Sequence, residues 1–107
     1  MLVRKLKEAR KTIYTLKLVE SIEYVEDAMI DQGRDYFPFG LYDYCCYQPD
    51  SIREVLTGLK NERKRLIIKL MAVNPRLCRK LYPNEKEREI ELNEVIEKAC
   101  EAAKNRR

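Results

Sequence analysis

The sequence predicts an all-α protein: an antiparallel bundle of three main helices with an aromatic-rich connecting loop. Three observations lead to this fold class. Apolar residues recur every three or four positions along most of the 107 residues. All four prolines, and two of the three glycines, fall in two interruptions of this pattern. No two stretches alternate in the manner of paired strands, so we predict one helical domain over residues 1–107.

The first helix is predicted from about residue 2 to residue 32, because Gly33 can adopt the left-handed conformation that ends a helix. Its apolar residues form two stripes on opposite sides when successive residues are placed about 100° apart. The charges also change sides, from basic in the first half to acidic in the second. The first stripe contains Leu2, Leu6, Ala9, Ile13 and Leu16, and the second contains Leu18, Ile22, Val25 and Met29.

Three arrangements account for two stripes. The helix could break near residues 15–17, or the alternating Tyr14, Leu16 and Leu18 could form a short strand. We favour a continuous helix, since neither glycine nor proline interrupts the segment and a strand would have no partner. The second stripe then packs on the other helices. The first stripe becomes the predicted protein interface, covered by a second copy of the chain or by another protein.

The second helix is predicted over residues 52–73. Its apolar residues follow alternating spacings of four and three, which is typical of helices packed side by side at a shallow angle. Only Arg63 interrupts this seam. We expect its aliphatic stem to pack while its guanidinium reaches solvent. The alternative is an ion pair with Glu20 or Glu23 that fixes the register of the two helices.

Two prolines delimit the remaining elements. Pro75 ends the second helix because it has no N–H to donate, and a short helical turn is predicted over residues 76–81. Pro83 precedes the third main helix, predicted over residues 85–104, whose first turn is acidic as the helix dipole favours.

The connection between the first two main helices carries six of the nine aromatic residues, all within residues 36–47. We expect Phe37, Phe39, Leu41 and Tyr44 to fold over the open end of the bundle. The alternative is a partner-binding patch, because tyrosine is enriched where proteins bind one another. Base stacking is disfavoured, since Asp35, Asp43 and Asp50 make the loop acidic.

Eleven basic residues define a predicted basic pole, where the start of the first helix and the end of the second meet in an antiparallel bundle. Such a pole would bind nucleic-acid phosphates with an affinity that falls steeply with salt. The alternative is internal neutralisation by the acidic start of the third helix. The predicted residues are Arg4, Lys5, Lys7, Arg10, Lys11, Lys64, Arg65, Lys69, Arg76, Arg79 and Lys80.

The four cysteines, Cys45, Cys46, Cys78 and Cys100, follow no metal-binding spacing, and histidine is absent. We therefore predict no metal and no cofactor. In the predicted bundle Cys100 returns toward the loop, so Cys45 or Cys46 should approach it, and a disulfide such as Cys46–Cys100 could form in a cell that permits one. Buried, reduced thiols are the alternative in an intracellular protein.

The composition argues against catalysis. No histidine is available as a general base, and no glycine-rich loop could hold a phosphate. The N-terminus does not resemble a secretory signal, and no apolar run reaches the roughly 18 residues of a membrane span, so we expect a cytoplasmic protein that uses neither a membrane nor a small-molecule substrate. Abundant Lys and Glu with only two glutamines is typical of heat-adapted proteins.

These observations favour a non-enzymatic interaction module that self-associates or docks on a protein partner through the first stripe. The alternative function is that of a small nucleic-acid-binding protein using the basic pole.

Overall fold

The computed structural model describes residues 2–30 and 49–105, and every regular element in these two ranges is an α-helix. The described residues contain no strand, so the prediction of an all-α fold is confirmed. The aromatic-rich loop predicted over residues 36–47 lies outside them. None of the described helices is long and apolar enough to cross a membrane. The helices are α1, Leu2–Ile30; α2, Pro49–Val73; α3, Pro75–Leu81; and α4, Glu85–Asn105.

Helix α1 is one unbroken helix of 29 residues, so neither the break nor the strand considered for residues 14–18 occurs. Its β-branched residues lower helix propensity only slightly. Thr12 and Thr15 donate their hydroxyl protons to carbonyl oxygens four residues earlier in the same helix, at 3.0 and 2.8 Å. These hydroxyls therefore find their hydrogen-bond acceptors without interrupting the helix.

Prolines and an asparagine set the boundaries of α2 and α3. Helix α2 begins at Pro49, three residues before the predicted start. Proline is tolerated in the first turn because an N–H group there would have no acceptor within the helix. Asn74 separates α2 from α3 and accepts a hydrogen bond from the Leu77 N–H through Oδ1 at 3.1 Å. Pro75 then occupies the first turn of α3, one residue before the predicted start.

The core consists of two apolar clusters along α2. At one end, Met29 of α1 packs with the start of α2 and with α4. Further along, the middle of α1 packs with the end of α2 and with α3. Since earlier α1 residues contact later α2 residues, these two helices run in opposite directions. The first cluster contains Met29, Ile52, Leu56, Leu92, Ile96, Ala99 and Cys100, and the second contains Leu18, Ile22, Val25, Leu66, Ile67, Leu70 and Cys78.

Polar contacts align α2 with α4. Arg53 pairs with Glu97 at 2.5 Å, and the Lys64 amine lies 3.8 Å from a Glu89 oxygen. The later α2 residue thus meets the earlier α4 residue, which means that these two helices also run in opposite directions.

Candidate interaction surface

The five residues of the predicted interface lie on one face of α1, and all are exposed. The exposed fractions are 75% for Leu2, 51% for Leu6, 53% for Ile13 and 61% for Leu16. We call Leu2, Leu6, Ala9, Ile13 and Leu16 the α1 stripe. Other exposed large apolar residues occur elsewhere on α1, such as Val3 and Tyr24, and on α2–α4, such as Ile68 and Ile90.

The α1 stripe begins where α1 extends past the other helices. Thr15, on the opposite face, is 5% exposed, and a groove between α1 and α3 is lined by Lys11, Thr12, Asn74 and Leu77 among others. Residues 2–10 are all exposed. At 1.5 Å per residue, this end of α1 therefore reaches about 14 Å beyond its packed turns.

Basic side chains border the α1 stripe on both sides. Lys5 lies along one edge, and Arg10 and Lys17 lie along the other, at helical positions about 20–40° outside the apolar residues. All three are exposed. We call Lys5, Arg10 and Lys17 the basic flank. The one acidic residue between positions 2 and 17 is Glu8, which lies away from the stripe, 4.0 Å from Arg4.

The same face of α1 changes character after Leu16. Glu20, Glu23 and Asp27 continue the line of the stripe toward the C-terminus, and all three are exposed. The outer face is therefore apolar with basic edges over the first four turns, and over the following turns it carries these three carboxylates beside the exposed Tyr24. Because α1 is unbroken, both regions lie along one continuous helix.

The structure distributes the eleven residues predicted as the basic pole over three helices, all of them exposed. Lys11 shares a groove with the start of α3, and α3 itself carries Arg76, Arg79 and Lys80. Part of the predicted charge is neutralised within the fold: Lys64 pairs with Glu89, and Arg65 pairs with Glu62. In the described part of the chain, eight of the eleven form no ion pair: Lys5, Lys7, Arg10, Lys11, Lys69, Arg76, Arg79 and Lys80.

Arg63 does not reach solvent, and the prediction that its guanidinium would do so is wrong. Its side chain is 1% exposed. Nε donates to Glu26 at 2.6 Å, while Nη1 and Nη2 donate to the two oxygens of Glu85 at 2.6 and 2.8 Å. The guanidinium carbon also lies 5.7 Å from the centre of the Tyr82 ring, within range of a cation–π interaction.

The carboxylate from α1 is Glu26, and neither Glu20 nor Glu23 takes the predicted role. Glu20 and Glu23 lie on the outer face of α1, whereas Glu26 borders the buried stripe about 40° from Ile22. A helical projection of the sequence could therefore have identified it. The Glu85 partner could not be read from the seam, because it depends on how the turn at Tyr82–Asn84 places the start of α4.

Glu26 accepts hydrogen bonds from two helices, since Arg88 of α4 also donates to it through Nε at 3.0 Å. Burial by itself would raise the pKa of Glu26, but the hydrogen bonds and positive charges of Arg88 and Arg63 outweigh burial and lower it. Burial opposes the charge on Arg63, and Glu85 and Glu26 outweigh that effect and raise its pKa. Both groups therefore remain charged near neutral pH.

A groove of about 350 Å³ lies beside these charged groups, lined in part by Tyr82, Pro83, Glu87 and Glu91. Burial, with smaller effects from the charges of Glu23 and Glu26, raises the pKa of Tyr82 to about 12. Among the described residues, every buried side-chain nitrogen and oxygen has a hydrogen-bond partner. We call Arg63, Glu26, Glu85, Arg88 and Tyr82 the Arg63 cluster. This cluster fits a role in holding three helices in register.

Two of the four cysteines fall within the described residues. Cys78 is buried, and its thiol lies 3.8 Å from the Ile67 carbonyl oxygen, to which it donates; burial raises its pKa. Cys100 is buried in the first apolar cluster. Cys45 and Cys46 lie outside the described ranges, so the disulfide between Cys46 and Cys100 stays a prediction. No set of His, Cys, Asp or Glu side chains in residues 2–30 and 49–105 is grouped to hold a metal ion.

No protein-family model matches the chain, and no curated protein or solved structure shows significant similarity to it.

Proposed function

We propose that this chain is a non-enzymatic interaction module that docks on another protein chain, or on a second copy of itself, through the α1 stripe. One observation carries the proposal. Four large apolar side chains, each more than half exposed, follow one face of a helix whose opposite face enters the core only from Thr15 onward. Contiguous exposed apolar surface of this kind is typical of protein interfaces.

The architecture that we propose for the module is the antiparallel bundle of three main helices, α1, α2 and α4. The reversed order of apolar contacts between α1 and α2, and of the polar contacts between α2 and α4, supports it. The aromatic-rich loop and the cytoplasmic location stay predictions.

A charge-insertion variant of the α1 stripe tests the proposal. Leu6→Glu combined with Ile13→Glu should leave the helix content and the urea midpoint nearly unchanged, because neither side chain belongs to the apolar clusters. The matched control is Ile68→Glu combined with Ile90→Glu, which changes two exposed isoleucines elsewhere (61% and 59%). Circular dichroism and urea titration would measure both variants.

Light scattering completes the test. If the wild-type chain forms a dimer or larger species, the stripe variant should be monomeric while the control variant assembles normally. A monomeric wild-type chain excludes a second copy as the occupant of the α1 stripe. Loss of the fold in the stripe variant, or assembly that persists in it, contradicts the proposal.

A second function, nucleic-acid binding, is favoured by the eight basic residues that form no ion pair in the described ranges. The test is fluorescence anisotropy with labelled single-stranded and duplex DNA and RNA at two salt concentrations, because phosphate binding weakens steeply as salt rises. Arg76→Glu combined with Arg79→Glu should lower the affinity. Absence of binding at low salt would eliminate this function.

A further inference from the structure

We infer that the α1 stripe is covered by an acidic amphipathic helix of a different protein, and not by a second copy of this chain. The inference rests on the proposed function and adds the chemical class of the partner.

The basic flank opposes pairing of two copies stripe to stripe. In two helices packed side by side, the residues that border the apolar seam meet across the interface and determine which partners are accepted. A parallel pair places Lys5 of one copy near Arg10 of the other. An antiparallel pair with the two stripes in full overlap places each flank against the same flank, so Arg10 of one copy lies near Arg10 of the other. Both orientations therefore bring like charges together beside the seam.

Sliding two copies along one another does not remove this conflict. If the basic half of one α1 faces the acidic half of the other, the flanks become complementary. However, Glu20 and Asp27 lie near the centre line of the outer face. Their carboxylates would then be pressed against the leucines of the stripe, where each would lose its hydration without an ion-pair partner.

An anionic lipid bilayer is also a poor fit for the α1 stripe. A lipid bilayer that buried the α1 stripe would also contact the rest of the outer face of this continuous helix. Beyond Leu16 it would meet the exposed carboxylates of Glu20, Glu23 and Asp27. The docking partner must therefore be limited in length to the first four turns of α1, which is about 21 Å.

A helix of another protein meets all of these conditions. Its apolar residues would follow the four-and-three spacing of the stripe, and its acidic residues would lie opposite Lys5, Arg10 and Lys17. Positive charge at the end nearest Glu20 would add a favourable contact and fix the orientation. The change from basic to acidic along α1 thus selects both the charge of the partner and its direction.

Designed peptides provide the test with the full chain. One probe is a helical peptide of about 14 residues, two heptads and about 21 Å long, with a leucine seam and glutamate at both flanking positions. The comparison peptide is identical except that lysine replaces glutamate. Isothermal titration calorimetry at low salt should show roughly tenfold tighter binding of the glutamate peptide, from about three flanking ion pairs. The difference should shrink as salt screens these pairs.

Charge-reversal variants connect the preference to the basic flank. Arg10→Glu combined with Lys17→Glu should make the chain prefer the lysine peptide. Lys86→Glu combined with Lys98→Glu alters the net charge equally at exposed sites on α4 and should leave the preference for glutamate unchanged.

Several outcomes would overturn the inference. Equal affinity for the two peptides, no binding of either, or tighter binding to phosphatidylserine vesicles than to the glutamate peptide would each do so. A wild-type dimer that Leu6→Glu and Ile13→Glu dissociate would make a second copy the occupant, while the proposed function would stand. Failure of the proposed function itself is recognised differently, by loss of the fold in that stripe variant.

Discussion

Arg63 and Glu85 are joined by two parallel hydrogen bonds, of 2.6 and 2.8 Å, between the middle of α2 and the first residue of α4. The remaining Nε proton of Arg63 goes to Glu26 on α1. One guanidinium therefore links all three long helices, at a position where the α2 seam otherwise carries apolar residues. The planar group of arginine suits this role because it donates in fixed directions.

Removing this guanidinium should destabilise the fold. Arg63→Ala leaves a cavity in the seam and deprives two partly buried carboxylates of their shared cation. We expect the free energy of unfolding to fall by about 3 kcal/mol, as for other broken ion pairs in protein interiors. Urea titration followed by circular dichroism measures the change.

Arg65→Ala is the matched control, because Arg65 also pairs with a glutamate, Glu62, but at the surface. Surface ion pairs contribute little, so its urea midpoint should stay close to that of the wild type. Similar losses in both variants would contradict the role assigned to Arg63.

The lowered pKa of Glu26 predicts acid sensitivity. In the folded chain this carboxyl holds its proton less tightly than in the unfolded chain, where its pKa is near the usual 4.5. Its contribution to stability is therefore complete above that value and is lost as the pH falls through the folded-state pKa. Glu26→Gln should be less stable than the wild type at neutral pH, and the difference should shrink in acid.

Urea titrations of both proteins between about pH 7 and pH 3 measure this effect, a range that spans the ionisation of glutamate. Glu97→Gln serves as the control, since Glu97 also has a lowered pKa from its Arg53 pair but lies at the surface. A Glu26→Gln difference that is constant with pH would show that the ionisation of Glu26 does not contribute.

The two stripes of α1 offer a comparison within one helix. Ile22 is 0% exposed and Ile13 is 53% exposed, and both have the same intrinsic helix propensity. Ile22→Ala should lower the free energy of unfolding by about 3 kcal/mol, the usual cost of emptying a buried isoleucine site. Ile13→Ala should change it by about 0.5 kcal/mol or less. Thermal and urea unfolding of the purified monomeric chain would measure both, and equal losses would place Ile13 in the core.

The phenol of Tyr82 should ionise at a higher pH than that of an exposed tyrosine. Its pKa of about 12 in the folded chain, against 10 without burial, means that the phenol is held in its neutral form. The stability that the neutral, buried phenol contributes is complete below pH 10 and is lost as the pH rises through about 12. The tyrosinate absorbance of the wild type, compared with that of Tyr82→Phe, isolates this group. An ionisation midpoint near 10 under folding conditions would contradict the burial described for Tyr82.

Periodicity predicted most of the helical architecture. Local spacing and helix propensity can be read from the sequence. They account for the α2 seam, the proline-bounded α3 and the two stripes of α1. The exposure of the α1 stripe was likewise predictable, because these residues lie opposite the face that packs in the core. The occupant of the stripe stays a prediction, since the spacing of one helix contains no information about a partner.

The Arg63 cluster shows where such reasoning fails. The guanidinium of an arginine in a seam either reaches solvent or forms an ion pair. Which of the two occurs depends on charged groups from distant parts of the chain. Glu26 lies 37 residues away and Glu85 lies 22 residues away. Their convergence depends on the packing of three helices, which the pattern of any single helix does not specify.

The unbroken course of α1 has a consequence for distant parts of the molecule. Leu6 and Met29 lie about 35 Å apart, yet they share one ladder of backbone hydrogen bonds. A ligand that stops the first turns from fraying removes the open states through which unwinding would spread toward the interior. Occupancy at the projecting end should therefore appear as slower amide hydrogen exchange well beyond the turns that the ligand touches.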